Sequence, residues 1–386
     1  MKLTRRKYLS GTGSLLGASL LPGSLAAQGK SIPNLPSTMV WSVYDVGASG
    51  YVEASAVADS LGKAYGARVR LQPSGTSIGR LLPLKQRRAT HGWLATEVYF
   101  ASEGLYEYAS PDWGPQDLRT LLGRVNTISI VATQTSGIKT MKDMKGKRYA
   151  IAKANTSVNA KVEPIFQAAG VSLSDMNVIE FPSYGATMKA LVEGKADAAG
   201  ASPHTVTLKE LEASSHGIHW IELPEADKDL WSKMQKILPL AGPFKEDLGA
   251  GITKDKPVWL MGFRYPMITV YADANPDEVY AVTKAVGDNY ESYKDASPIM
   301  PRWQLSKSGL YPMDAPFHEG AIRYLKEKSI WSPEHDKWQS AIIKRQGLLR
   351  AAWKDLMEKE PAAKGADAAK LSGLWAPRRA EVLKAL

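Results

Sequence analysis

The sequence predicts a two-lobed α/β protein with mixed sheets flanked by helices and a helical C-terminal extension. Three observations predict it. Strand patterns alternate with helical periods in an early block of the 386-residue chain, and the alternation repeats in a second block. A late apolar run, Arg264–Tyr271, reads as a strand crossing back toward the first block. After that run the chain is mostly helical in pattern.

Order begins at Met39–Tyr44, where alternating apolar residues give a half-buried strand. The turn Gly47-Ala48-Ser49-Gly50 leads into a helical pattern from Val52 to Tyr65. A second strand, Arg68–Gln72, meets the small-residue turn Ser74–Ser77 and a helix over Ile78–Lys85. The second block opens with the β-branched run Thr127–Ala132. Residues 138–151 read as a short helix, a glycine stop at Gly146 and a strand. Asn155-Thr156-Ser157 caps a helix running to Ala169, with Pro164 inside it. A strand over Val178–Phe181, a helix over Ser183–Glu193 and a buried strand over Ala196–Gly200 follow. Helices are then expected over Pro276–Tyr293, Ala315–Lys328, Lys337–Glu358 and a final Ala-rich segment, with Trp353 and Trp375 as buried anchors.

The first residues have a separate logic. Arg5-Arg6 precedes Tyr8-Leu9, then a weakly apolar run from Gly11 to Leu21 and small residues up to Ala26-Ala27. This is the pattern of a twin-arginine export signal, or of an ordinary secretory signal that carries an arginine pair. The apolar run is half the length of about 20 residues that a bilayer-spanning helix needs, so no stable membrane insertion is expected. The expected organisation is a signal at 1–27, a loose leader at 28–37, the first part of lobe 1 at 38–128, lobe 2 at 129–266, and lobe 1 completion with the C-terminal helices at 267–386.

Of the formal net charge of +10, four positive charges belong to Lys2, Arg5, Arg6 and Lys7 in the signal, which leaves +6. A mildly basic body suits anionic ligands. Without Lys/Arg blocks or basic stripes interleaved with aromatics, nucleic acid is not an expected partner. The chain has no cysteine, which excludes a thiol nucleophile, Cys-ligated zinc and iron–sulfur clusters. No dinucleotide fingerprint, phosphate loop, haem attachment, His-Glu-x-x-His or Gly-x-Ser-x-Gly motif occurs, so neither a cofactor nor an enzymatic activity is expected. His204, His216 and His219 have no standard metal-ligand spacing.

Several segments together resemble a known family. They are Gly47-Ala48-Ser49-Gly50-Tyr51, the run Gln72–Leu81, the run Ser136–Arg148 with its Lys-Asp-Met-Lys-Gly-Lys-Arg core, the cap at Asn155-Thr156-Ser157, and Pro316-Phe317-His318-Glu319-Gly320-Ala321 followed by Tyr324. Over about residues 38–335 the chain resembles the TAXI class of solute-binding proteins of tripartite ATP-independent periplasmic (TRAP) transporters. It departs from the pattern at Arg87–Trp93, where relatives carry an acidic Gly-Glu-Ala-Asp run, at Arg80, where an amide is usual, and at Glu319, which stands for a proline. The resemblance implies a periplasmic-binding-protein clamshell of type II kind, working as a monomer in the periplasm. It would capture a small organic anion (a carboxylate, dicarboxylate or amino acid, possibly aromatic) between its lobes. It would then deliver that ligand to sodium-coupled TRAP permease subunits in the membrane. The same fold could instead serve an ABC importer or a sensor kinase, or scaffold an exported enzyme.

The candidate ligand residues follow from position and chemistry. Ser74, Gly75, Thr76 and Ser77 precede a helix, where hydroxyls and backbone N–H groups at the positive helix end can grip a carboxylate, or simply cap the helix. Thr156 and Ser157 repeat the device in lobe 2. Tyr51, past the glycine turn, can roof a ligand, and Trp93 can stack on one. Glu97 can accept from an amino group. Arg80 and Arg264, weighed above Arg87 and Arg88, are candidates for a bidentate carboxylate clamp. His204, after the buried strand, can face the cleft. His318 reads as a structural hydrogen bonder.

Overall fold

The computed structural model describes residues 31–386. The export signal read at residues 1–27 and the first part of the leader lie outside the described residues. The strands and helices, in chain order, are β1 (Thr38–Val43), α1 (Ser49–Tyr65), β2 (Arg68–Pro73), α2 (Ser77–Lys85), β3 (His91–Leu94), α3 (Glu97–Glu103), β4 (Leu118–Ala132), β5 (Arg148–Ile151), α4 (Thr156–Ala168), β6 (Asn177–Glu180), α5 (Tyr184–Val192), β7 (Ala198–Ala201), α6 (Thr207–Ala213), β8 (His219–Trp220), α7 (Lys228–Ile237), β9 (Gly242–Glu246), β10 (Val258–Tyr271), α8 (Pro276–Asp288), α9 (Leu305–Ser308), α10 (Glu319–Glu327), α11 (Pro333–Lys359) and α12 (Ala368–Lys384). The fold is mixed α/β, with helices flanking a mixed sheet.

The strand order is β2-β1-β3-β10-β4-β7-β5-β6. Strands β1, β2 and β3 run parallel, as do β5, β6 and β7, and β10 and β4 lie antiparallel between the two groups. The long β4 changes partner along its length. Leu118 to Ile128 pair with β10, and Ser129 to Ala132 pair with β7. The chain therefore passes between the two groups on two adjacent strands. Pro266 interrupts the β10 ladder, and the register with β4 shifts between Arg264 and Met267, as expected where a strand residue has no N–H to donate.

The inner strands β3 and β7 are buried along their whole length and the edge strands β2 and β6 are not, which explains the apolar Ala198–Ala201 of β7 beside the polar Asn177–Glu180 of β6. In lobe 1, Trp41 packs on Trp93 at 5.2 Å and Trp93 on Trp303 at 5.0 Å between ring centroids. Beneath this stack runs a charge network. Arg124, in the centre of β4, forms a bidentate pair with Glu53 of α1, and Glu53 Oε2 also accepts from Trp303 Nε1 at 2.6 Å. Both charged side chains are fully buried. The first half of β4 was not expected from sequence because Arg119 and Arg124 give it a polar look. Arg119 pairs with Asp117 two residues away and also donates to Gln346, 227 residues on, while the partner of Arg124, Glu53, lies 71 residues away.

The C-terminal helices pack on α3. Trp353 and Trp375 meet edge to face at 5.3 Å, and Trp375 Nε1 donates to the Glu103 carbonyl at 2.9 Å. The Glu103 carboxylate accepts from Arg345 at 2.6 Å and from Arg379. Among the described residues no helix is long and apolar enough to cross a membrane.

Glu53→Gln removes the counter-charge of Arg124 while keeping side-chain volume. A buried charge left unpaired costs about 3–5 kcal/mol, so urea unfolding should show a stability loss of about 3 kcal/mol or more. A loss below about 1 kcal/mol would show that Arg124 finds another partner.

Candidate functional site

The site lies where the N-termini of α2 and α4 approach each other between the two strand groups. Thr76 caps α2, its Oγ1 accepting from Gly79 N at 3.1 Å. Across the junction, Ser157 N donates to Ser77 Oγ at 3.0 Å and Ser77 N donates to the Ala154 carbonyl at 3.0 Å. Tyr44 at the end of β1 shares a 2.5 Å hydrogen bond with Ser157 Oγ. A third link is Gly185 N, at the start of α5, donating to Asp45 at 3.0 Å.

Two positive helix ends facing each other call for negative charge. Yet a third positive group, the Arg80 guanidinium, stands between them. It reaches Asn155 Oδ1 and Ser157 Oγ, each at 3.3 Å, and lies 3.5 Å over the Tyr44 ring. Glu97 answers it, accepting from Arg80 Nε at 2.7 Å, and both side chains are fully excluded from solvent. Arg80 holds the Glu97 carboxyl below the usual carboxylate range against the opposing effect of burial.

The structure thus brings together Ser74, Gly75, Thr76, Ser77, Arg80, Glu97, Thr156 and Ser157. It sets several of them in roles other than the expected ones. Arg80 and Glu97 pair with each other, because two opposite charges buried side by side satisfy one another. Arg264 donates to the carbonyls of Gly123, Lys307 and Pro312 at 3.0–3.1 Å, which occupies the guanidinium with backbone. Trp93 lies wholly inside the lobe 1 aromatic stack, because β3 is covered on both faces. His204 bonds Glu246 at 3.1 Å in the wall of a separate groove of about 430 Å³. Burial lowers its pKa, with the Glu246 hydrogen bond opposing. Tyr51 is half-buried against the lobe 1 core. His318 caps α10, accepting from Gly320 N at 3.1 Å.

Beside the helix junction are two small adjoining cavities, each of about 20 Å³. The inner one is lined by Tyr44, Tyr184, Tyr265, Asn126, Ser202 and Thr205, among others. The outer one is lined by Thr96, Tyr99, the Leu238–Ala241 turn and Asp314. Lys161 of α4 and Phe263 of β10 line both. Lys161 Nζ donates to Thr96 Oγ1 at 3.1 Å and lies 4.1 Å from the Phe263 ring centroid. It is 2% exposed and is in none of the ion pairs among the described residues. Burial pulls its pKa down to about 7, with Glu97 and Asp314 pulling the other way.

Lys161 was missed in the sequence, although a signal existed. Val158, Lys161, Val162 and Ile165 share the spacing of one helix face, and a lysine in an otherwise apolar stripe is out of pattern. Asp314, between buried Met313 and Ala315, carried a similar signal. Tyr44 reads as an ordinary strand aromatic, and Phe263 stands one residue before the apolar run Arg264–Tyr271, which the structure extends back to Val258. Among the described residues no cluster of His, Asp or Glu suits a metal ion.

Residues 46–329 match the NMT1-like family, and the chain belongs to that family. Solved structures similar to it include a protein from Bordetella bronchiseptica RB50, at 19% identity over 77% of this chain and 90% of that one, with a TM-score of 0.46. Others are an alkanesulfonate-binding protein from Xanthomonas axonopodis pv. citri bound to MOPS (15%, 87% and 98%, 0.42) and a TctC solute-binding protein from Polaromonas (14%, 81% and 100%, 0.41).

Gly75 limits how closely the lobes meet. A Cβ there would press on Asp45 and on Ser183 of the facing lobe. Gly75→Ala should leave the melting temperature within a few degrees of wild type and hold the lobes apart. A larger radius of gyration by X-ray scattering is the expected result. An unchanged radius would show that the junction has slack.

Proposed function

We propose that this chain is an exported solute receptor that closes its two lobes over a small organic anion. The observation that carries this reading is Lys161, a buried cation without an ion pair, facing cavities between elements of both lobes. A lone buried ammonium is unfavourable unless something supplies negative charge. A ligand carboxylate is a suitable counter-ion, and the Thr96 hydroxyl already holds the ammonium in place. Phe263 and the tyrosine ring cluster give the ligand an apolar surround, as small-molecule sites usually have. The junction of α2 and α4 acts as the latch. Its hydrogen bonds form only when the lobes meet, so they favour the closed state and enclose the ligand where charge interactions are stronger.

The finer assignment, a TAXI-class receptor handing its ligand to sodium-coupled TRAP permease subunits in the periplasm, rests on the resemblance at residues 136–148 and 316–324. In that role the protein binds and releases its ligand without chemistry. A permease gene beside its own would support it. An ABC importer's ATPase gene in that place would move the receptor to a different machine.

Two measurements test the receptor reading. The first is native mass spectrometry of protein from the periplasm, followed by calorimetric titration of ligand-stripped protein with a broad panel of carboxylates. At least one carboxylate should bind, and Lys161→Met should weaken it by about tenfold or more, as for a lost charged hydrogen bond. An empty protein that ignores the whole panel would end this reading. The second is pH. Lys161 is charged below pH about 7, so binding a monoanion above that pH requires taking up a proton. Affinity at constant ionic strength should therefore fall between pH 7 and pH 9, and an affinity flat over that range would separate binding from Lys161.

A further inference from the structure

We infer that the outer cavity reads a second group on the ligand, a hydrogen-bond donor such as a hydroxyl or ammonium, through the carboxyl of Asp314. This rests on the receptor reading and narrows its ligand class from organic anions in general to acids that carry a donor beside an apolar body.

Asp314 is 8% exposed, and its Oδ2 is shut off from solvent with no hydrogen-bond partner. Most buried polar atoms have a partner, so one left open in a cavity wall calls for an explanation. The cations nearby form no ion pair with it. Arg264 donates to three backbone carbonyls. Lys161 donates one N–H to Thr96 and leaves Asp314 Oδ2 without a partner. Asp314 and Lys161 line the same cavity, so a ligand whose acid group meets the ammonium lies within one small chamber of an acceptor that needs a donor. The rest of that chamber is Tyr99, Phe263 and the Leu238–Leu240 turn, which offers an apolar wall. Asp314 also borders a neighbouring cavity of about 80 Å³ on the α11 side. Burial pushes the Asp314 carboxyl up to about 7, with Lys161 opposing. Near neutral pH the carboxyl is partly protonated, so accepting from an ammonium draws it toward the charged form with release of a proton.

The experiment uses matched carboxylate trios on the full-length protein: propanoate, lactate and alanine; 4-methylpentanoate, its 2-hydroxy form and leucine; 3-phenylpropanoate, 3-phenyllactate and phenylalanine. Each is titrated calorimetrically against wild type, Asp314→Asn and Asp314→Ala, with the melting temperature of each ligand-free variant as a folding control. In at least one trio, wild type should bind the hydroxy or amino member about tenfold or more tighter than its plain acid, the discrimination expected of a site built around a polar partner. Asp314→Ala should erase that preference. Asp314→Asn should reduce it most where the donor is an ammonium, which tells the two donor types apart. Equal binding within every trio, or a preference that survives Asp314→Ala, overturns the inference and points to a buried water on Oδ2. If the trios fail while plain dicarboxylates bind in a Lys161-dependent way, the donor inference falls and the receptor reading stands.

Discussion

The buried pair of Arg80 and Glu97 sets the constraint on which the junction depends. Two helix N-termini and a guanidinium converge on one small region, an arrangement that repels itself without negative charge. Glu97 supplies that charge from lobe 1, and Asn155 Oδ1, from lobe 2, accepts from Arg80, Ser77, Tyr44 and Ser157. The pair thus does two things. It neutralises the region where an anionic ligand might have been sought, and it presents a rigid cation to the start of α4. That contact fixes where the rest of α4 goes, including Lys161, one and a half turns further along the helix. The cation that remains without a charge partner is therefore displaced from the helix ends into the cavity.

Inside the cavity, burial acts in opposite senses on the two ionisable groups. It makes the Lys161 ammonium easier to deprotonate and the Asp314 carboxyl easier to protonate. Each also favours the charge of the other. The polar groups of the cavity converge on one space, and Lys161 is held by the Thr96 hydroxyl and the Phe263 ring.

Much of this architecture was legible in the sequence, because the alternation of strand and helix patterns is a local property. The turn at Ser74–Ser77 and the cap at Asn155–Ser157 were recognisable as helix starts, and they do face the junction. What escaped was pairing at a distance. Nothing local says that Arg80 will meet Glu97 rather than a ligand, or that Arg264 will be wrapped by carbonyls. For the same reason β4 was half missed, since Arg124 in mid-strand looks exposed until Glu53 is placed beside it. Trp93 and His204 are placed by nearness to strand ends, which fixes the backbone neighbourhood but not the side-chain direction. Lys161 was the reverse case. Its anomaly was local, a charge in an apolar helix face, and it was legible to anyone asking which face was buried.

The anchoring of α3 has a consequence for how the chain comes to be folded. This short helix carries Glu97 at one end and Glu103 at the other. Glu103 is held by Arg345, Trp375 and Arg379, between 242 and 276 residues downstream. Lobe 2 is built from one continuous stretch, so its contacts can form while synthesis is under way. Lobe 1 must wait for β10 to enter between β3 and β4, and α3 must wait longer still, for α12. Contacts this distant in sequence are slow to form. The counter-ion that settles the helix junction is thus among the last groups to be locked in place.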